Sequence, residues 1–274
     1  MKQFSVILNN KTYFFDPKKP LNLAIELVAG EENPNCYYAE NPVFETIKAD
    51  NFIGSVVQGG SCNYQKIMLT PHGNGTHTEC YGHISADENA TVSKCFNENL
   101  FVAQLITLTP KQKKTTEKNN TESNDFVVDF EEFLSQIKDK NISEIEAIII
   151  RTLPNSIEKK TKKYSNTNPP YLDFRICKYL ADNNIRHLLI DLPSVDKEID
   201  GGELKVHHAF WRIVDNQEHN QQQNSTNIRK NAGITEMIFV DNEIKDGMYL
   251  LDLQMIRMNI DAVPSKPILY ELYQ

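Results

Sequence analysis

Three short apolar runs constrain this chain more than anything else in it: FVAQLITLT ending at Thr109, EAIIIRTL ending at Leu153, and HLLIDLPS starting at His187. Each is aliphatic and β-branched without polar alternation, the pattern of strands covered on both faces. Between the second and third, YLDFRICKYLADNNI places Leu172, Ile176, Tyr179 and Leu180 on one helical face. Strand, helix and strand in that order predict a β-α-β unit, and hence an α/β fold with mixed sheet layers and helices. A further helix is expected in DFEEFLSQIKDK, with Asp129 as N-cap and Phe133, Leu134 and Ile137 turned inward.

The N-terminal part reads as β-rich. In SVILNNKTYFF two apolar runs flank Asn9 and Asn10, and asparagine tolerates the positive φ of a tight turn, so a β-hairpin is expected first. From Pro20 to Gly60, FETIKADNFIGSVVQGG suggests short strands joined by turns. Three polar stretches, near 111–125, 155–169 and 215–231, are too polar to bury, and strand-like segments resume on both sides of each. They are expected to be surface insertions in one domain spanning 1–274. With 40% hydrophobic residues, that length can bury a substantial core.

A formal charge of -8 and the lack of a continuous Lys/Arg stripe argue against a nucleic-acid partner. Nowhere do about 18 apolar residues run together, which argues against a membrane partner. The first residues lack the apolar core of a signal sequence, and a cytoplasmic address is expected. Five cysteines at irregular spacing, with no CxxC pair, predict reduced and mostly buried thiols rather than a disulfide framework.

Chemistry concentrates in PHGNGTHTECYGH, from Pro71 to His83, where His72, His77, Glu79 and His83 lie close together. In an extended segment His77 and Glu79 share a face and can reach one divalent ion, and Gly73 and Gly75 let the backbone bend to bring in His72. Such an ion polarises a carbonyl and lowers the pKa of a bound water, as amide or ester hydrolysis requires. An unligated imidazole can then carry the proton to the leaving group. The same residues also suit an ordinary polar loop, since three of seven histidines can fall together by chance. Cys80 opposes Glu79 and is expected to be structural, and Trp211 is expected to be core rather than a substrate platform.

The segment resembles the HxGTHxDxPxH signature of the cyclase family, which includes bacterial kynurenine formamidases and isatin hydrolases, metal-dependent enzymes with a swivelling β/β/α fold. Gly75, Thr76, His77 and His83 match in identity and spacing. Gly73 stands where the family's first histidine falls. His72 lies one residue early and needs a one-residue bulge to act as a ligand. Glu79 replaces the family's aspartate, and Tyr81 its proline.

Further along, HLLIDLPSVDKEIDGG is similar to the family's Asp-x-x-Ser-x-Asp strand end, at Asp191, Ser194 and Asp196. VHHAFW resembles its HxxLL segment, and GITEMIFVDNEI the strand carrying a second glutamate, here Glu236. The resemblance implies one or two divalent ions, zinc or manganese, held by His72, His77, Glu79, His207 and Glu236, with His83 in acid/base chemistry. His207 fits the HxxLL register, and His208, one residue on, is the alternative; in an extended segment their rings oppose, so only one serves. Asp191 and Asp196 are either partners that orient a ligating imidazole or turn residues. The implied activity is hydrolysis of the C–N amide bond of a small molecule, an aryl formamide or cyclic amide, through metal-bound hydroxide, in a homo-oligomer. The departures at His72 and Glu79 leave open a catalytically degenerate small-molecule binding protein with the same fold.

Overall fold

The computed structural model describes residues 4–8, 11–116, 122–214 and 227–274. Its central sheet has eight strands: β1 (Leu21–Asn22), β2 (His77–Glu79), β3 (Leu100–Leu108), β4 (Ala147–Thr152), β5 (His187–Ile190), β6 (Gly233–Glu236), β7 (Gly247–Met255) and β8 (Ala262–Glu271). They lie in the order β7-β3-β4-β5-β6-β2-β8-β1. An added β7–β8 pairing closes seven of them into a barrel. Strands β3 to β6 pair in parallel, and the other pairings are antiparallel.

The aliphatic runs lack polar alternation because β3, β4 and β5 are buried on both sides. Phe101, Ala103, Leu105, Ala147, Ile149 and Leu189 join Leu251, Leu253 and Leu269 in the cluster that fills the ring. Their sequence neighbours Ile148, Ile150, Leu188 and Ile190 pack outward against two helices, α1 (Phe130–Ile137) and α2 (Phe174–Asp182). Phe133 and Ile137 of α1, with Ile176 and Leu180 of α2, complete that outer layer. The β4–α2–β5 unit is the expected parallel crossover. Asp129 caps α1 by accepting the Glu132 N–H at 3.0 Å, and Asp173 caps α2 through the Arg175 N–H at 3.1 Å. Leu172 lies before α2, in a short strand pairing with Val128.

One expected element changes type. VHHAFW is not extended but forms helix α3 (Lys205–Trp211). The Asp196 carboxylate accepts the N–H groups of Val206 and His207 at 2.8 and 3.0 Å, so a remote acid satisfies first-turn amides that no local residue caps. The helix is held down by buried Phe210 and Trp211, whose indole N–H donates to the Ala232 carbonyl at 2.8 Å.

The N-terminal hairpin forms as expected, Phe4–Leu8 against Lys11–Phe15, with Asn9 and Asn10 outside the described residues. The first polar stretch is more structured than an insertion loop. Lys111–Thr116 pairs with Glu122–Val128, which also pairs with Tyr171–Leu172, and Val127 and Val128 are buried. The second stretch is anchored by buried Tyr164 and by Lys159, whose ammonium lies 2.8 Å from the buried Asp191 carboxylate. Most of the third, 215–226, lies outside the described residues. All five thiols are free; Cys36, Cys80 and Cys177 are buried and Cys62 is exposed. Among the described residues no helix is long and apolar enough to cross a membrane.

A buried histidine outside the candidate site makes stability depend on pH. The His187 ring packs 4.3 Å from the Phe101 ring and 5.5 Å from Phe96, and neither ring nitrogen has a hydrogen-bond partner among the described residues. Burial, reinforced by Arg186 and Arg229, pushes its pKa down from 6.5 to about 3. The unfolded chain therefore binds a proton below about pH 6.5 that the native chain refuses until about pH 3. Stability is complete above pH 6.5 and falls by about 1.4 kcal/mol per pH unit on acidification. His187→Leu should remove this component, so that denaturant melts show the variant gaining about 2 kcal/mol on wild type between pH 7 and pH 5. Parallel pH profiles for the two proteins would refute the assignment.

Candidate metal centre

The antiparallel β6–β2 register sets Glu236 directly opposite His77, and Ile234 opposite Glu79. His77 and Glu79 are both buried, and their side chains both enter one cluster of acids and imidazoles. The His77 Nδ1–H donates to the Gly75 carbonyl at 2.9 Å, which in a neutral imidazole makes Nε2 the lone pair. That lone pair faces Glu236 Oε2 at 3.4 Å. Glu236 Oε1 is occupied by the Val195 N–H at 2.8 Å. Helix α3 contributes His207, whose Nε2 lies 3.0 Å from Glu79 Oε1 and whose Nδ1 lies 2.6 Å from Asp196 Oδ2.

His72 and His83 complete the cluster nearer the surface, with side chains 26% and 29% exposed against 0–4% for His77, Glu79, His207 and Glu236. The mouth is therefore at His72 and His83, and the floor at His77 and Glu236. His72 Nδ1 is 3.2 Å from Glu79 Oε2, and its ring centroid is 4.3 Å from that of His83. Three sets of ligand atoms each lie within 4.8 Å of one another: His72, His77 and Glu79; Glu79, His83 and His207; and His72, His83 and Asp261.

The electrostatics are those of a cation site carrying protons. Burial opposes charge on Glu79, but His83 and His207 overcome it and hold the carboxyl well below its usual range. Burial likewise disfavours a charged His207, yet Glu79 and Asp196 raise it well above 6.5. His72 rises to about 10 against its own burial because it hydrogen-bonds to Asp261 and Glu79. Buried carboxylates and lone pairs converge, and without another cation the imidazoles must supply the positive charge. His77 Nε2 is buried without a hydrogen-bond partner among the described residues. Nitrogen and oxygen donors at these separations fit a divalent ion.

His72, His77, Glu79, His83, His207 and Glu236 thus come together as expected, and His208 does not. On α3 its ring points elsewhere, with Nδ1 2.9 Å from the Ile213 carbonyl. Asp196 holds the His207 imidazole, whereas Asp191 binds the Thr152 N–H, the Thr152 hydroxyl and Lys159 and touches no imidazole of the cluster. Asp261 escaped the sequence reading. Its Oδ2 lies 2.9 Å from His72 Nε2 and 3.4 Å from His83 Nδ1. An acid immediately before the last strand was the one available signal.

The profile of the Cyclase family matches residues 5–197, the span that carries His72, His77, Glu79, His83 and Asp196. The chain belongs to the cyclase family. The fold agrees with solved cyclase-family structures. One, described as a potential metal-dependent hydrolase with cyclase activity, is 15% identical, with a TM-score of 0.57 over 93% of this chain and 99% of its own. Isatin hydrolase A from Labrenzia aggregata, bound to benzyl benzoate, is 14% identical, with a TM-score of 0.61 over 92% and 93%. Isatin hydrolase A from Ralstonia solanacearum is 11% identical, with a TM-score of 0.60 over 92% and 91%. No curated protein sequence matches the chain.

The chain departs from the family signature for a visible steric reason. The loop Asn35–Ala39 runs against the His72 turn: the Cys36 N–H donates to the Gly73 carbonyl at 3.1 Å, and the Cys36 thiol to the His72 carbonyl at 3.1 Å. A Cβ on residue 73 would meet the Ala39 Cβ at 2.3 Å. No side chain fits there, so glycine serves for space rather than for bending. Its neighbour His72 reaches the cluster from a one-turn helix, Pro71–Asn74, instead of the expected bulge. Asn74 fixes that turn, accepting the Thr70 N–H at 2.7 Å and donating to the Glu40 carbonyl at 2.9 Å.

Proposed function

We propose that this member of the cyclase family is a metal-dependent hydrolase that opens the C–N amide bond of a small molecule, an aryl formamide or a cyclic amide such as isatin. The observation that carries the reading is the meeting of buried acceptors: His77 Nε2, its other nitrogen committed to Gly75, faces Glu236 Oε2 across 3.4 Å, beside the buried Glu79 carboxylate. Two acceptors facing each other in a dry interior are costly unless a proton or a metal cation lies between them, and a divalent ion would satisfy both at once. His72, His77, Glu79, His207 and Glu236 hold one or two ions in this reading, zinc or manganese by their nitrogen and carboxylate donors. Glu79, near His72 through one oxygen and His207 through the other, is the bridge between the two halves.

A divalent ion held by these residues would supply polarisation of a carbonyl and a water of lowered pKa. The chain supplies the rest. Asp196 and the Gly75 carbonyl orient His207 and His77 from behind, and the buried floor excludes bulk water. His83, half-buried at the mouth, moves the proton to the leaving nitrogen. The resemblance to solved structures extends to proteins described as isatin hydrolases, which supports a cyclic-amide substrate, and a homo-oligomeric assembly belongs to the same reading.

Elemental analysis of the purified chain, followed by hydrolysis of N-formylated aniline derivatives and isatin with and without chelation, tests the proposal. One or two divalent ions per chain and chelator-sensitive turnover are expected. A folded, metal-free protein with no hydrolysis would leave the binding-protein reading instead. His83→Ala should keep its ions and lose about 10²–10⁴-fold in kcat. Unchanged kcat would exclude His83 as the proton carrier.

A further inference from the structure

Each of the two deeply buried imidazoles of the cluster has its far nitrogen held by an oxygen. His77 Nδ1 is bound to the Gly75 carbonyl and His207 Nδ1 to the Asp196 carboxylate, so in both rings Nε2 faces the acids. His72 is turned the other way. It presents Nδ1 to Glu79 at 3.2 Å, and its Nε2 lies 2.9 Å from Asp261 Oδ2. This reversal goes with the crowding at residue 73, which forces the imidazole to enter from the preceding residue. We infer that Asp261 is the positioning residue that makes His72 a metal ligand: its carboxylate accepts the Nε2–H and thereby leaves Nδ1 as the lone pair facing the cluster.

The inference rests on the metal-dependent reading above. A neutral imidazole has one N–H and one lone pair, and the partner at one nitrogen decides which nitrogen can ligate. His72 needs such a partner more than His77 or His207 does, because its ring is a quarter exposed and water competes for either nitrogen. Asp261 is well placed to act. Its carbonyl accepts the Cys80 N–H at 2.9 Å, and the next residue, Ala262, pairs with Glu79 in the β2–β8 ladder. The backbone that carries Asp261 is thus in register with the backbone that carries Glu79. The same Oδ2 also lies 3.4 Å from His83 Nδ1, so one carboxylate fixes both imidazoles at the mouth.

Equilibrium dialysis of the full chain against Mn(II) or Co(II) tests this in four proteins besides wild type: Asp261→Ala, Asp261→Asn, His72→Ala and the double variant His72→Ala/Asp261→Ala. Asp261→Ala is expected to weaken ion binding about 10–100-fold. Asp261→Asn, which keeps an acceptor of the same shape and guards against a folding artefact, should recover part of the loss. His72→Ala should weaken binding at least as much as Asp261→Ala, and in the His72→Ala background removal of Asp261 should add nothing. Asp261→Ala with wild-type affinity, or with an equal loss whether or not His72 is present, overturns the proposal and leaves the metal reading intact. Wild-type protein that binds neither ion overturns both.

Discussion

His77→Ala should strip the protein of divalent-ion binding more completely than any other single change. An apparent binding free energy of about 10–16 kcal/mol shared among roughly four ligands assigns about 3–4 kcal/mol to each, or a 10²–10³-fold loss of affinity. His77 stands at the upper end because its geometry is set twice, by the Gly75 carbonyl at Nδ1 and by a strand register that faces it with Glu236. Removing the ring also leaves Glu236 Oε2 buried with nothing to face. His77→Gln, which keeps polar bulk in a fully buried position, should lose the ion equally while disturbing the barrel less. Titration with Mn(II) followed by calorimetry is the check. Wild-type stoichiometry and affinity in both variants would remove His77 from the ligand set, and with it the main support for the hydrolase reading.

Trp211→Ala is expected to have the largest effect on stability, about 3–5 kcal/mol. The indole is fully buried, packs on Phe210 and donates its N–H to the Ala232 carbonyl. It also backs the His207 ring, with centroids 5.6 Å apart and planes tilted by 32°. Truncation therefore opens a cavity, orphans a carbonyl and removes one wall of an imidazole that faces Glu79. For a chain of this size the melting temperature should fall by roughly 10 °C. The gain in melting temperature on adding Mn(II) should shrink as well, because His207 is less well held. Trp211→Phe keeps most of the packing and should cost about 1 kcal/mol from the lost hydrogen bond. A Trp211→Ala protein as stable as wild type would contradict the core role of this residue.

What the sequence shows of this molecule follows from how local each determinant is. Strands β3, β4 and β5 were legible because burial on both faces leaves an uninterrupted aliphatic run, α1 because Asp129 caps it from the adjacent position, and α2 because Ile176, Tyr179 and Leu180 recur at helical spacing. Helix α3 was misread because its amides are satisfied by Asp196, ten and eleven residues away. The hairpin around 111–128 was hidden by its lysines and asparagines, since its strands are held by pairing rather than by an apolar face. In the site, His77 and Glu79 could be paired from the two-residue period of a strand. Asp261 could not, because it reaches His83 and His72 across 178 and 189 residues through a ladder that no local pattern announces.

The loop Asn35–Ala39 carries two consecutive tyrosines, Tyr37 and Tyr38, at φ near +53° and +54°, a conformation bulky residues rarely adopt. Pressed against Gly73, this loop path makes positions 39 and 73 mutually exclusive occupants of one volume. A histidine at 73 in this chain would therefore force the preceding loop onto another path, and with the loop where it is the imidazole has to come from the residue before, His72.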